Sequence, residues 1–164
     1  MRGWAISPDF ALLLARLIQD HRPARIVEFG SGSSTLVCAY CLQQLGGGQI
    51  ISVDHDPDFA QRTRDDLVRH GLSGWADVRV AELEQSCYPN TLGEPFVWYE
   101  AKVVDQLPEA IDVVIVDGPP SIGRSLARYP ALPAIAHKLA PNAVVVLDDA
   151  GRAEETAVYP RWQA

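Results

Sequence analysis

The sequence predicts an α/β protein built on a doubly wound parallel sheet, and three observations lead there. Short apolar runs alternate along the chain with longer stretches of helical spacing. The apolar runs are close to continuous, which suits strands covered on both faces. Each ends in or beside an acidic residue, at the edge where open α/β sheets carry their sites.

Taken in order, "SPDFALLLARLIQDH" (7–21) opens the chain as a helix, with Ser-Pro-Asp as its start signal. "ARIVEF" (24–29) is a short buried strand running into Gly30. "SSTLVCAYCLQQL" (33–45) is the next helix, stopped by three glycines at 46–48. "QIISVD" (49–54) is the second strand. "PDFAQRTRDDLVRHG" (57–71) is a helix with proline in its first turn and glycine at its end. "WADVRVAEL" (75–83) reads as the third strand, "IDVVIVD" (111–117) as the fourth and "NAVVVLDD" (142–149) as the fifth. "ALPAIAHKLA" (131–140) is a helix between the last two, and "RAEETAVYPRW" (152–162) a closing helix. Residues 84–107 break the rhythm with two prolines and the rings of Phe96, Trp98 and Tyr99. They read as an extra short strand plus a helix packing those rings, with a flap over the ligand site as the alternative.

At 164 residues the chain predicts a single domain with a real core. A formal charge of −7 argues against nucleic acid and anionic membranes as partners, although Arg124, Arg128 and Arg152 can form a local basic patch. No apolar stretch approaches the roughly 20 residues of a membrane span, and the start "MRGWAISPDF" has no signal-peptide pattern, so the expectation is a cytoplasmic protein. Cys38 and Cys41 form a C-x-x-C inside a helix, without the two further ligands that zinc needs, and read as packing residues.

The loop after the first strand, "EFGSGSST", lets a ligand approach the backbone at Gly30 and Gly32. A dinucleotide fingerprint wants a third glycine where Thr35 stands, and Glu28 has the wrong sign for a pyrophosphate. A cationic nucleoside such as S-adenosylmethionine fits the same features better: Glu28 favours its positive end, and Asp54 is placed for the ribose hydroxyls.

These motifs carry a resemblance. "VEFGSGSST" resembles motif I of the class I S-adenosylmethionine-dependent methyltransferases, and "ISVDHDP" resembles their second motif. "VDGPP", "RYPALP" and "VVLDDAGR" are similar to a bacterial small-molecule group, methyltransferase family 24, and the likeness runs from about Trp4 to Trp162. It implies a Rossmann-like sheet of strand order 3-2-1-4-5 and methyl transfer from S-adenosylmethionine to a small molecule, most readily at oxygen. Gly30, Ser31 and Gly32 would line the methionine portion with Glu28 beneath. Ser34 stands where many members have a third glycine, and with Thr35 would cap the helix. Asp54 would bind ribose, His55 would lie along the adenine, Glu82 would meet the adenine amine, and Asp117 would face the transferred methyl.

Asp117, Asp148 and Asp149 end adjacent predicted strands, where three oxygen ligands would suit Mg2+. The catechol-type O-methyltransferases are similar there: acids after the same two strands hold a metal that binds the acceptor oxygen, which would make Asp117 and Asp148 catalytic. Their lysine base has no counterpart in "GPPSIG". In the alternative, Asp148 caps the last helix and Asp117 contacts the cofactor. Arg124 and Arg128 either hold an anionic acceptor or balance the acids. The sequence is expected to lack the family's C-terminal antiparallel strand pair, leaving a sheet edge that a homo-oligomer could cover. The competing functions are a catalytically inactive cofactor-binding module and an NAD-dependent oxidoreductase.

Overall fold

The computed structural model describes residues 6–86, 88, 95–121, 126–153 and 155–163. Helix α1 (Pro8–His21) starts where expected, with Ser7 Oγ accepting from Phe10 N at 3.1 Å. Strand β1 (Arg25–Phe29), helix α2 (Ser33–Leu45), strand β2 (Gln49–Asp54), helix α3 (Pro57–Arg69) and strand β3 (Ala76–Val80) follow within a few residues of the sequence reading. Strands β4 (Leu83–Gln85) and β5 (Val97–Tyr99) pair antiparallel outside the main sheet, and helix α4 (Ala101–Asp105) follows them. Strand β6 (Ile111–Val116), helix α5 (Ala131–Ile135), strand β7 (Leu139–Leu147) and helix α6 (Val158–Trp162) complete the order.

The main sheet is parallel, ordered β3-β2-β1-β6-β7. Counting only its own strands, this is the expected 3-2-1-4-5. The order reverses between β1 and β6, and that switch point places a crevice at the carboxyl ends of β1, β2 and β6.

Strand alternation sorts the core into two faces. Ile26, Ile50, Val113 and Ile115 pack with Leu14, Ile18, Ala39 and Leu42 of α1 and α2. Val27, Phe29, Val53, Val114 and Val116 pack with Trp98, Tyr99, Val104, Ala134 and Ile135 on the other side. Among the described residues of this stretch, β4, β5 and α4 are the short-strand and helix elements, and the rings of Phe96, Trp98 and Tyr99 are buried.

Three boundaries differ from the sequence reading. Strand β7 begins at Leu139, inside the expected helix, because its register to β6 shifts between Ile111 and Val113 and Asn142 takes a left-handed φ of 65°. The helix before it is α5 plus a single 3-10 turn, Ala136–Lys138. The closing helix is only Val158–Trp162. The chain ahead of it instead makes successive turns, beginning with Arg152 N donating to Asp149 O at 2.9 Å.

Candidate functional site

Glu28 is a carboxylate with no exposed surface, in the middle of a parallel sheet. It is tolerable there because β1 and β2 are in register at Glu28 and Ser52 and α2 packs above both. Ser52 Oγ and Thr35 Oγ1 each donate to Glu28 Oε2 at 2.5 Å. Thr35 Oγ1 in turn accepts from Gly32 N at 3.0 Å, closing a chain from the glycine turn to the buried acid. Burial pushes the Glu28 carboxyl up to about 7, against the lowering effect of the Ser34, Ser52 and Thr35 hydroxyls. At neutral pH it therefore sits near its midpoint.

The glycine turn has a φ of 102° at Gly30, a conformation that a side chain disfavours. A Cβ at Gly30 would also lie 3.3 Å from Gly118 N, so the chain after β1 and the chain after β6 come as close as backbones allow.

Beside this turn, Ser31 Oγ donates to Asp54 Oδ2 at 2.6 Å, and Asp56 N donates to Asp54 Oδ1 at 3.0 Å. Burial works to raise the Asp54 carboxyl, but hydrogen bonds from His55, Ser31 and the Asp56 N–H outweigh it and hold the group below its usual value. A cavity of about 200 Å³ opens here, lined by Gly30, Ser31, Asp54, His55, Asp56, Phe59, Tyr99, Asp117, Gly118 and Pro120. Tyr99 brings its ring in from the β4–β5 hairpin, stacked on Phe29 at 5.5 Å and edge-on to Trp98 at 5.0 Å. The buried hydroxyl has no partner among the described residues. A Cβ at Gly118 would come within 2.6 Å of it, so only glycine leaves room for this phenol.

The far wall is acidic. Asp117, Asp148 and Asp149 each bring a carboxylate oxygen within 4.8 Å of the others. Consecutive strand residues point to opposite faces, and the left-handed φ of 55° at Asp149 lets two neighbours join the same cluster. Arg128, only 4% exposed, reaches in from the turn before α5. Its Nη1 donates to Asp148 O and its Nη2 to Asp117 O, both at 2.5 Å. Burial, reinforced by the charge of Asp148, pushes the Asp117 carboxyl up to about 6 although Arg128 pulls it down.

The sequence pattern of a methyltransferase-domain family matches residues 27–150, which includes every element of this site apart from the N-terminal helix packed behind it. The chain belongs to this methyltransferase-domain family.

Its fold is shared with solved relatives. An O-methyltransferase of Bacillus cereus, in complex with S-adenosylhomocysteine, superposes with a TM-score of 0.72 at 17% identity, over 98% of this chain and 70% of that one. The O-methyltransferase TomG of Streptomyces achromogenes, in complex with S-adenosylmethionine, gives 0.67 at 19% identity, over 99% and 70%. A ribosomal protein L11 methyltransferase of Alkalilimnicola ehrlichii is 38% identical over 72 residues, which are 43% of this chain and 24% of that relative. The methyltransferase domain described here thus spans about a quarter of the curated relative that it matches.

Within this methyltransferase domain the expected site residues separate into groups. Gly30, Ser31, Asp54, His55 and Asp117 line one cavity. Glu28, Ser34 and Thr35 lie behind it, buried; Thr35 and Ser52 hold Glu28 Oε2 and link it to the turn, while its Oε1 has no partner among the described residues. Gly32 is the N-cap of α2 and does not line the cavity. Glu82 is exposed next to the hairpin and is not among the lining residues. Arg128 sits inside the acidic wall, which matches the balancing reading; its guanidinium is buried between strand ends and does not face the cavity. Arg124 lies outside the described residues. Among these residues, Cys38 and Cys41 carry free thiols that burial pushes up, and no helix is long and apolar enough to cross a membrane.

Sequence reasoning assigned no individual role to Asp56, Phe59, Gly118 or Pro120, although "ISVDHDP" and "VDGPP" contain three of them, and left Tyr99 between packing and a flap over the ligand site. Phe59 follows the second motif within one helical turn, a signal that was available. Asp56 is engaged as the N-cap of α3, where its Oδ1 accepts from Asp58 N and Phe59 N.

Proposed function

We propose that this domain binds S-adenosylmethionine and transfers its methyl group to a small-molecule acceptor, at oxygen. The observation that carries this reading is the single cavity joining the Gly30–Ser31 turn, the ribose-type acid Asp54 and the strand-end acid Asp117. Family membership and the two O-methyltransferases of the same fold support it.

In this reading Asp54 accepts hydrogen bonds from the ribose hydroxyls, and Ser31 fixes its carboxylate in the receiving orientation. His55 and Phe59 border the same end of the cavity and offer flat surfaces to a base. The Gly32–Thr35–Glu28 chain holds the glycine turn at the right height for the methionine portion. Chemistry is substitution at a carbon already activated by sulfonium, so the domain mainly aligns the acceptor and takes up a proton. With Asp54 given to the ribose and Asp56 capping α3, Asp117 is the carboxylate on the cavity wall left to accept it: the acceptor O–H proton passes to the carboxylate as the oxygen attacks the methyl carbon. The C–S electron pair returns to sulfur and leaves S-adenosylhomocysteine.

Mg2+, which the catechol-type resemblance implies, does not fit the acidic wall as it stands. Arg128 Nη2 lies 3.4 Å from Asp117 Oδ1 and 3.6 Å from Asp149 Oδ2, so two of the three carboxylates already face a buried cation. No step is assigned to a metal.

Calorimetry tests the proposal directly. S-adenosylmethionine and S-adenosylhomocysteine are expected to bind and NAD is not; binding of NAD alone overturns the reading. Asp54→Ala is expected to weaken S-adenosylhomocysteine roughly 10- to 100-fold, the usual range for losing hydrogen bonds to a charged group.

A further inference from the structure

The cluster of Asp117, Asp148 and Asp149 has the outline of a cation site, yet the fold brings its own cation to it. Arg128 is held by two strand-end carbonyls, Asp148 O and Asp117 O. It is almost fully desolvated, and its Nε–H has no partner among the described residues. From that position it faces two carboxylates at 3.4 and 3.6 Å. Arg152 adds a second guanidinium, with Nη2 at 2.7 Å from Asp149 Oδ2. That oxygen is therefore shared by two arginines, and Asp148 Oδ1 accepts from Asp149 N at 2.9 Å. Each carboxylate has at least one oxygen engaged.

Three properties make Arg128 hard to displace. A guanidinium does not lose its proton in a protein, so it cannot become neutral to admit a metal. Its planar fork bridges β6 and β7, so moving it leaves two carbonyls of the sheet edge without donors. Repulsion between a divalent ion and a buried guanidinium a few ångströms away is weakly screened.

We propose that Arg128 is the resident counter-cation of this corner and that the domain works without a bound divalent metal. This inference rests on the S-adenosylmethionine reading only for what the corner is used for; the metal question can be decided without it. Arg128 is a positioning residue: it fixes Asp117 and the end of β7 and touches neither cofactor nor acceptor.

The experiment is a titration of EDTA-treated protein with Mn2+, followed by electron paramagnetic resonance, with and without S-adenosylhomocysteine. In the wild type the free Mn2+ signal is expected to keep full amplitude at millimolar protein. Arg128→Met, which removes the buried guanidinium from the three-carboxylate corner, is expected to take up one Mn2+ per chain, and adding Asp148→Asn should abolish that uptake. Stoichiometric uptake by the wild type, lost in Asp148→Asn alone, overturns the inference. Should Arg128→Met fail to fold, the wild type and Asp148→Asn decide the matter between them. Calorimetry with S-adenosylhomocysteine in EDTA and in Mg2+ separates the two levels of argument. Equal affinity in both buffers supports metal independence, and a requirement for Mg2+ overturns it. Failure to bind in either buffer overturns the methyltransferase reading and leaves the Mn2+ result to decide the inference.

Discussion

Glu28 on β1 and Asp117 at the end of β6 belong to neighbouring strands, and both carboxyls are pushed up by burial. They are accommodated by different means. Around Glu28 the protein supplies hydroxyls, from Thr35 and Ser52, and no positive charge. Around Asp117 it supplies a guanidinium and two further carboxylates. The hydroxyl shell tolerates both protonation states, because a hydroxyl can turn to donate or to accept. The guanidinium shell favours the anion and fixes its geometry. Within one crevice, both acids can take up a proton, but the glycine-turn side is held by groups that reorient and the β6–β7 side by a fixed cation.

The largest effect should come from breaking the charged side. Arg128→Ala removes the cation that faces the Asp117 and Asp149 carboxylates and the donor to two carbonyls, and is expected to cost about 3–5 kcal/mol, read by urea unfolding. A loss below about 1 kcal/mol would show that the guanidinium is incidental. On the hydroxyl side, Thr35→Val removes the bridge between Gly32 N and Glu28 and should cost about 1–3 kcal/mol, a smaller loss because Ser52 remains.

The two sides can also be compared by pH. Glu28 titrates near 4.5 when unfolded and near 7 when folded, so between those values the native state keeps a proton that the unfolded chain has released. Stability in the ligand-free protein therefore falls as pH rises through that window and levels off above it. Glu28→Gln should flatten this slope, leaving the weaker fall between 3.8 and about 6 that belongs to Asp117. A slope unchanged by Glu28→Gln would remove Glu28 from the account. The smallest effect is expected from Tyr99→Phe. The hydroxyl has no partner in the ligand-free protein, so stability should stay within about 0.5 kcal/mol, while S-adenosylhomocysteine should bind a few-fold more weakly.

How legible these features were in the sequence depends on how local they are. The turn at Gly30, the cap at Thr35 and the strand-end position of Asp54 follow from neighbouring residues, and the sequence placed them correctly. Convergence of Asp117 with Asp148 and Asp149 required only the pairing of β6 with β7, which the alternation of elements supplies. Arg128 was ambiguous because its meaning depends on carbonyls at 117 and 148, brought together only by the folded sheet edge. Tyr99 was left between packing and a flap over the ligand site because its ring does pack; that the residue also borders the cavity depends on a β4–β5 pairing that no local pattern announces. The expected closing helix shrank to Val158–Trp162 for a related reason, as Arg152 is drawn to Asp149.

The clearance between Tyr99 and Gly118 has a consequence for how this site can evolve. The phenol oxygen and any side chain at position 118 compete for the same few cubic ångströms, so the two positions cannot change in arbitrary order. Gly118→Ala should be poorly tolerated in the present background and much better tolerated once Tyr99→Phe has emptied the space. That is epistasis arising from excluded volume, with the Gly30 backbone at 3.3 Å setting a residual cost that the loss of the phenol does not remove. Loss of the phenol therefore opens the way for a side chain at position 118, so the favoured order of mutational steps follows from this clearance.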